Sequence, residues 1–292
     1  MDQAEGLRNI IKHQNQKLVS GARVITVTSG KGGVGKSSTA INLALHFQKL
    51  GKKVIILDAD FGLANVEVMF GVIPQYNLSD IMYKGKELKD IIIQGPEGVG
   101  FISGGSGIAK LVNMDNEQIK RLVYKMSELE KMADIVIVDT GAGIAPSVLE
   151  FVAASSEVIL VTTPEPTSIT DAYALLKALN MFPGFDKNDT RIKVLCNKVN
   201  SVSEGNTLFE KLNMVVSKFL NIQLSMLGCI PQDYSVTKAV MKQTPVTLMY
   251  PNAPATKAFA DAVRNLIEDS DNGHSQKVGI GRFFINVFNR RR

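Results

Sequence analysis

The sequence lacks any apolar run of about eighteen residues, and its opening stretch is polar, so neither a membrane-spanning helix nor a secretory signal is expected. A cytoplasmic location follows as the expectation. Cysteine is scarce: Cys196 and Cys229 each sit inside an apolar, strand-like run, as buried free thiols do, and their spacing suits neither a disulfide framework nor an iron–sulfur cluster. Charge excess is small as well. The net charge of +5 is too mild for its sum to dictate a partner, and no specific nucleic acid is expected, although four arginines fall in the last eleven residues. Core-forming material is not lacking, since 45% hydrophobic residues across 292 positions can bury one large domain.

What the chain does carry begins at Gly30. The stretch Gly30, Lys31, Gly32, Gly33, Val34, Gly35, Lys36, Ser37, Ser38 lies between the apolar run Val24–Thr28 and a helical pattern from Ala40 to Leu45. Gly30, four residues and then Gly35-Lys36-Ser37 satisfy GxxxxGK[ST] in its strand–loop–helix setting, the form of a phosphate-binding loop. Glycines let successive N–H groups turn inward around phosphate oxygens, and the helix that follows adds its positive end. Lys36 is expected on the β and γ phosphates. Ser37 offers a hydroxyl to Mg²⁺.

Two further strands deliver carboxylates to the same region. Lys53–Leu57 runs into Asp58-Ala59-Asp60, and Ile135–Val138 into Asp139-Thr140-Gly141-Ala142-Gly143. In an open α/β sheet, strand carboxyl ends border the ligand crevice. Asp58 and Asp139 are expected to orient the metal and its water, and Asp60 to polarise the attacking water. The glycines after Asp139 can move when a γ-phosphate arrives or leaves. Later, strand-like and helical runs alternate, which implies a doubly wound, mostly parallel sheet with helices on both faces. In Asn197-Lys198-Val199-Asn200 no aspartate occupies the fourth place that would read guanine, so adenine is the expected base, although Asn197 also suits a turn.

With Lys31 near its start, KGGVGKS resembles the deviant Walker A box of the MinD/ParA ATPases. The resemblance implies that Lys31 crosses to a partner's nucleotide, giving an ATP-sandwiched homodimer in which Lys31, Lys36 and Asp60 serve catalysis. It also implies that Asn197 and the Pro231-Gln232-Asp233 stretch surround adenine. Asp2-Gln3-Ala4-Glu5-Gly6-Leu7-Arg8 is similar to the DQAxxLR motif of the flagellar branch of that family. There it docks on and stimulates an FlhF-type GTPase, which implicates Asp2, Gln3, Ala4, Leu7 and Arg8 in partner binding and flagellar switch-complex proteins as further partners. Partition and division-site positioning ATPases of the ParA and MinD kinds share the core and remain the alternative.

The expected organisation is an activator segment over residues 1–20, an ATPase domain over 21–269, a polar linker over 270–278 and an amphipathic helix over 279–292. At about 100° per residue, Ile280, Phe283, Phe284, Val287 and Phe288 share one arc of roughly 140°. No acid interrupts this segment, and Arg282 lies opposite the arc. Such a helix suits an anionic membrane surface, with folding back onto the domain or a nucleic-acid arm as the alternatives. The resemblance favours lipid, so the protein is expected at the inner face of the membrane when ATP is bound.

Overall fold

The computed structural model describes residues 21–60, 65–105, 116–269 and 279–289. The activator segment and the linker lie outside these. Eight strands form one sheet: β1 (Arg23–Ser29), β2 (Val54–Ala59), β3 (Ile93–Gln94), β4 (Gly100–Ser103), β5 (Ile135–Ala142), β6 (Glu157–Thr162), β7 (Arg191–Val199) and β8 (Leu224–Pro231). Their order is β3-β4-β2-β5-β1-β6-β7-β8, with β3 antiparallel to β4 and all other neighbours parallel. The helices are α1 (Lys36–Lys49), α2 (Asn65–Phe70), α3 (Leu78–Tyr83), α4 (Leu88–Ile91), α5 (Asn116–Ser127), α6 (Pro146–Ala154), α7 (Pro166–Asn180), α8 (Val202–Leu220), α9 (Tyr234–Met241), α10 (Val246–Met249), α11 (Pro254–Asp269) and α12 (Ile280–Asn289).

Strand alternation divides the core between two layers. Ile25, Val27, Ile56, Ile135 and Ile137 pack with Ile41 and Leu45 of α1 and Phe259 and Val263 of α11. Their neighbours Val24, Ile55, Leu57, Val136 and Val138 face the opposite layer, where Leu122 and Met126 of α5 are buried. Both faces are therefore covered, as expected for parallel strands that read as unbroken apolar runs. The sequence turns outward from β1, because β2 and β6 lie on opposite sides of it. That reversal opens a crevice beyond the carboxyl ends of the strands, where the loop after β1 begins.

The C-terminal helix departs from the expectation of a lipid-facing stripe. Ile280, Phe283, Phe284, Val287 and Phe288 are buried against the domain, in one cluster with Leu122, Met126, Leu129, Phe151 and Ala154. The Phe283 ring meets Phe151 of α6 with centroids 5.9 Å apart. Periodicity identifies an apolar face but not its receiver, and a groove between α5 and α6 takes it here. The glycines at its start allow the approach. The Gly281 N–H points at the Glu130 carboxylate, 3.4 Å away, and a side chain at Gly279 would collide with that same carboxylate.

Candidate nucleotide site

The loop between β1 and α1 owes its shape to close neighbours as much as to flexible glycines. Gly33 and Gly35 take left-handed φ values of 77° and 94°, which side-chain-bearing residues resist. Gly35 also lies so close to the Asn197 amide that a Cβ would strike it, and a Cβ at Gly30 would strike the Asp171 carbonyl of α7. The loop is thus held by β7 on one side and α7 on the other. Helix α1 starts at Lys36, and its first-turn N–H groups open toward the crevice.

Lys36 and Asp139 form a buried ion pair, with Nζ 2.8 Å from Oδ1, beside the Ser37 hydroxyl. Asp58 is the register partner of Asp139 on the adjoining strand, so two carboxylates emerge side by side. Burial, then repulsion from Asp139, pushes the Asp58 carboxyl up to about 8; burial likewise raises Asp139. One oxygen on each, Asp58 Oδ2 and Asp139 Oδ2, is buried without a hydrogen bond among the described residues. Two unsatisfied carboxylate oxygens beside a hydroxyl fit a hard divalent cation, and Ser37, Asp58 and Asp139 would hold Mg²⁺ here. Bound there, the cation would neutralise phosphate charge.

Linkage then gives a testable sign. An unfolded Asp58 releases its proton near 3.8, whereas the folded chain keeps it to about 8, so folding binds the extra proton between those values. Stability of the nucleotide-free, metal-free protein should therefore fall as pH rises from 5 to 8. Thermal melts should show the decline in wild type and a flatter profile in Asp58→Asn; parallel profiles would rule Asp58 out as the cause.

Asp60 joins this group. Its N–H donates to Asp58 Oδ1 at 3.0 Å, and its carboxylate faces Gly141, where a Cβ would lie 3.7 Å from Oδ1. Asn197 comes to the loop rather than standing free: its Nδ2 donates to the Val34 carbonyl at 2.7 Å, while its Oδ1 accepts from the Lys198 N–H. One amide N–H remains for a base. Pro231 ends β8 beside Val199, close to Asn197. The Asp233 carboxylate is committed to helix ends, accepting from the Ser235 and Ala255 N–H groups. Against the upward push of burial, those bonds hold Asp233 below the usual carboxylate range.

Lys31 stands at the loop's mouth, half-buried, its Nζ 2.7 Å from both Glu165 Oε2 and Thr167 Oγ1. Sequence reasoning missed those two partners, together with Lys198, whose Nζ reaches the Gly33 carbonyl at 2.8 Å. The signal for Glu165 was available: it follows the carboxyl end of β6, the same rule that located Asp58 and Asp139.

Known proteins resemble this chain along most of its length. The family model for ParA, described as NUBPL iron-transfer P-loop NTPase, matches residues 21–267. The chain is 46% identical over 237 residues to the antiactivator FleN of Pseudomonas aeruginosa, covering 81% of this chain and 83% of FleN. The chain belongs to the MinD/ParA family, in its flagellar FleN/YlxH branch. The flagellum site-determining protein YlxH of Helicobacter pylori is 32% identical over 292 residues, covering 97% of both chains. In fold, this ATPase matches the septum site-determining protein MinD of Pyrococcus horikoshii, solved with Mg-ADP, at a TM-score of 0.65 and 21% identity over 87% of this chain and 99% of that one. Members of the family bind nucleotide and magnesium and hydrolyse ATP. No helix among the described residues is long and apolar enough to cross a membrane.

Proposed function

We propose that this flagellar MinD-like ATPase is a nucleotide-switched dimer that binds membrane through α12 when ATP is present and stimulates an FlhF-type GTPase through Asp2, Gln3, Ala4, Leu7 and Arg8. Flagellar number and placement would be set by that cycle. The observation that carries the reading is the position of Lys31. Its ammonium sits at the surface edge of the phosphate loop and is held, among the described residues, by Glu165 and Thr167 of its own chain, of which Glu165 is well exposed. A facing subunit's triphosphate offers a denser negative charge than one solvated carboxylate, so Lys31 can exchange its intramolecular partner for an intermolecular one. Light scattering with ATP on a slow-hydrolysis Asp60→Ala background tests this. Lys31→Ala should remain monomeric, and Glu165→Gln should dimerise at lower ATP concentration; dimerisation by the Lys31 variant would refute the exchange.

Resting on Lys31 of the same subunit, the Glu165 carboxyl is held below its usual range by that hydrogen bond. The monomer is thereby satisfied without nucleotide. Docking of α12 on α5 and α6 belongs to the same resting state in this reading, and ATP-driven pairing favours its exchange for lipid. For the N-terminal segment, a pull-down with the FlhF-type GTPase should capture the full chain and fail with a chain lacking residues 1–20. Equal capture would remove the motif from the proposal.

A further inference from the structure

We propose that Cys196 and Cys229 are a redox-modifiable pair, converted to a disulfide when a hydroperoxide reaches Cys229, and that closing it loosens the clamp on the phosphate loop. The two residues are register partners on β7 and β8. Paired strands lie about 4.8 Å apart, within the roughly 4.4–6.8 Å of Cα separation that a disulfide spans. Both sulfurs turn toward Gly205 of α8: Cys196 Sγ lies 3.5 Å from its carbonyl oxygen, and a Cβ on Gly205 would collide with Cys229 Sγ. The missing side chain leaves room for the two thiols to meet.

Their surroundings divide the chemistry between them. Cys196 is fully enclosed, whereas Cys229 is partly exposed. Proximity to Cys196 lowers the Cys229 pKa, and proximity to Cys229 together with burial raises that of Cys196. Cys229 is thus the thiolate that attacks, and Cys196 the thiol that resolves. In the first step the Cys229 sulfur bonds to one peroxide oxygen as the O–O bond breaks. The other oxygen leaves as an alcohol, or as water from hydrogen peroxide, after taking a proton, and Cys229 becomes a sulfenic acid. Cys196 then attacks that sulfur, forming S–S and breaking S–O, and its proton departs with the hydroxyl as water. Two thiols are oxidised by two electrons and one peroxide is reduced.

The link to the nucleotide site is one residue long. Immediately after Cys196, Asn197 and Lys198 hold the Val34 and Gly33 carbonyls of the phosphate loop. Pairing of β7 with β8 slips between Asn197 and Val199, and Lys198 takes a left-handed φ of 57°. Such an irregularity persists only while its neighbours hold it, so the side-chain and backbone rotation at Cys196 that the fixed disulfide geometry demands re-aims both side chains.

The test uses the full-length chain, reduced and then exposed to hydrogen peroxide, with ADP affinity measured by calorimetry and thiols counted by alkylation and intact mass. Oxidised wild type should lose two alkylatable thiols and about tenfold in ADP affinity, and dithiothreitol should restore both. Cys229→Ser should keep its affinity through peroxide treatment. Cys196→Ala, which keeps the enclosed position apolar, should stop at a Cys229 sulfenic acid that dimedone traps. Two thiols still alkylatable after peroxide, a disulfide without change in affinity, or an equal loss in the Cys229 variant would each overturn the proposal. The reduced protein's own ADP binding reports separately on the nucleotide site.

Discussion

Lys36→Met should lose nucleotide binding by about 100-fold or more, since a charge-assisted hydrogen bond to phosphate contributes roughly 1.5–3 kcal/mol and Lys36 is placed to make two. The substitution also breaks the buried pair with Asp139. Removing one member of such a pair commonly costs about 3–5 kcal/mol because a charge is left buried alone. Asp139 has an escape: burial already favours its protonated form, and without Lys36 it can take up a proton and remain in the fold neutral. A folded variant with a melting temperature that falls as pH rises is therefore expected. Calorimetry with a non-hydrolysable ATP analogue, which offers both the β and the γ phosphate, on the folded fraction decides the matter. Affinity near the wild-type value would refute the assignment of Lys36, and loss of all folded protein at pH 5 would refute the account of Asp139.

Much of this site was legible because its chemistry is local. A strand, four glycines and two lysines occupy a single stretch, and Asp58, Asp60 and Asp139 each follow an apolar run that reads as a buried strand. Strand order was less accessible. Nothing in the local pattern of Ile93–Gln94 says that it returns antiparallel on β4, since two residues carry no period. Lys198 escaped notice for a similar reason: its left-handed backbone arises from a slip in pairing with β8, more than 25 residues away. The tail shows the deepest limit. Its wheel identified five residues of the apolar face, all of which are buried together in the structure with Ile285 packed beside them, yet amphipathicity is blind to whether lipid or protein lies opposite. The glycines at 279 and 281 were the available hint. Gly281 weakens the helix by roughly 1 kcal/mol, which a purely lipid-seeking segment has no reason to accept, and both glycines clear the path to Glu130.

That docking sets up the second large effect: ATP should move the protein onto anionic vesicles, and disturbing the helix seat should do so without ATP. Five apolar side chains gain about 1.5–3 kcal/mol each on burial, while ordering each residue of the ten-residue helix costs about 1–2 kcal/mol. The opposing contributions are of comparable size, so the seat is a weak one that lipid can outbid. A single amphipathic helix holds a bilayer weakly, but two joined by a dimer gain effective concentration, which can raise avidity by about 10²–10⁴ without a new contact. In sedimentation with vesicles rich in phosphatidylglycerol, Asp60→Ala with ATP should bind at least about tenfold more than wild type with ADP. Met126→Asp puts a charge into the apolar groove that receives the helix, leaves the helix's own face intact, and should bind vesicles in ADP as well. Phe284→Asp removes the apolar face that both receivers share and should bind in neither state. Equal binding of wild type in ATP and ADP would sink the coupling between nucleotide and tail. Failure of the Met126 variant to bind in ADP, with the ATP effect intact, would instead mean that the seat on α5 and α6 does not restrain the helix.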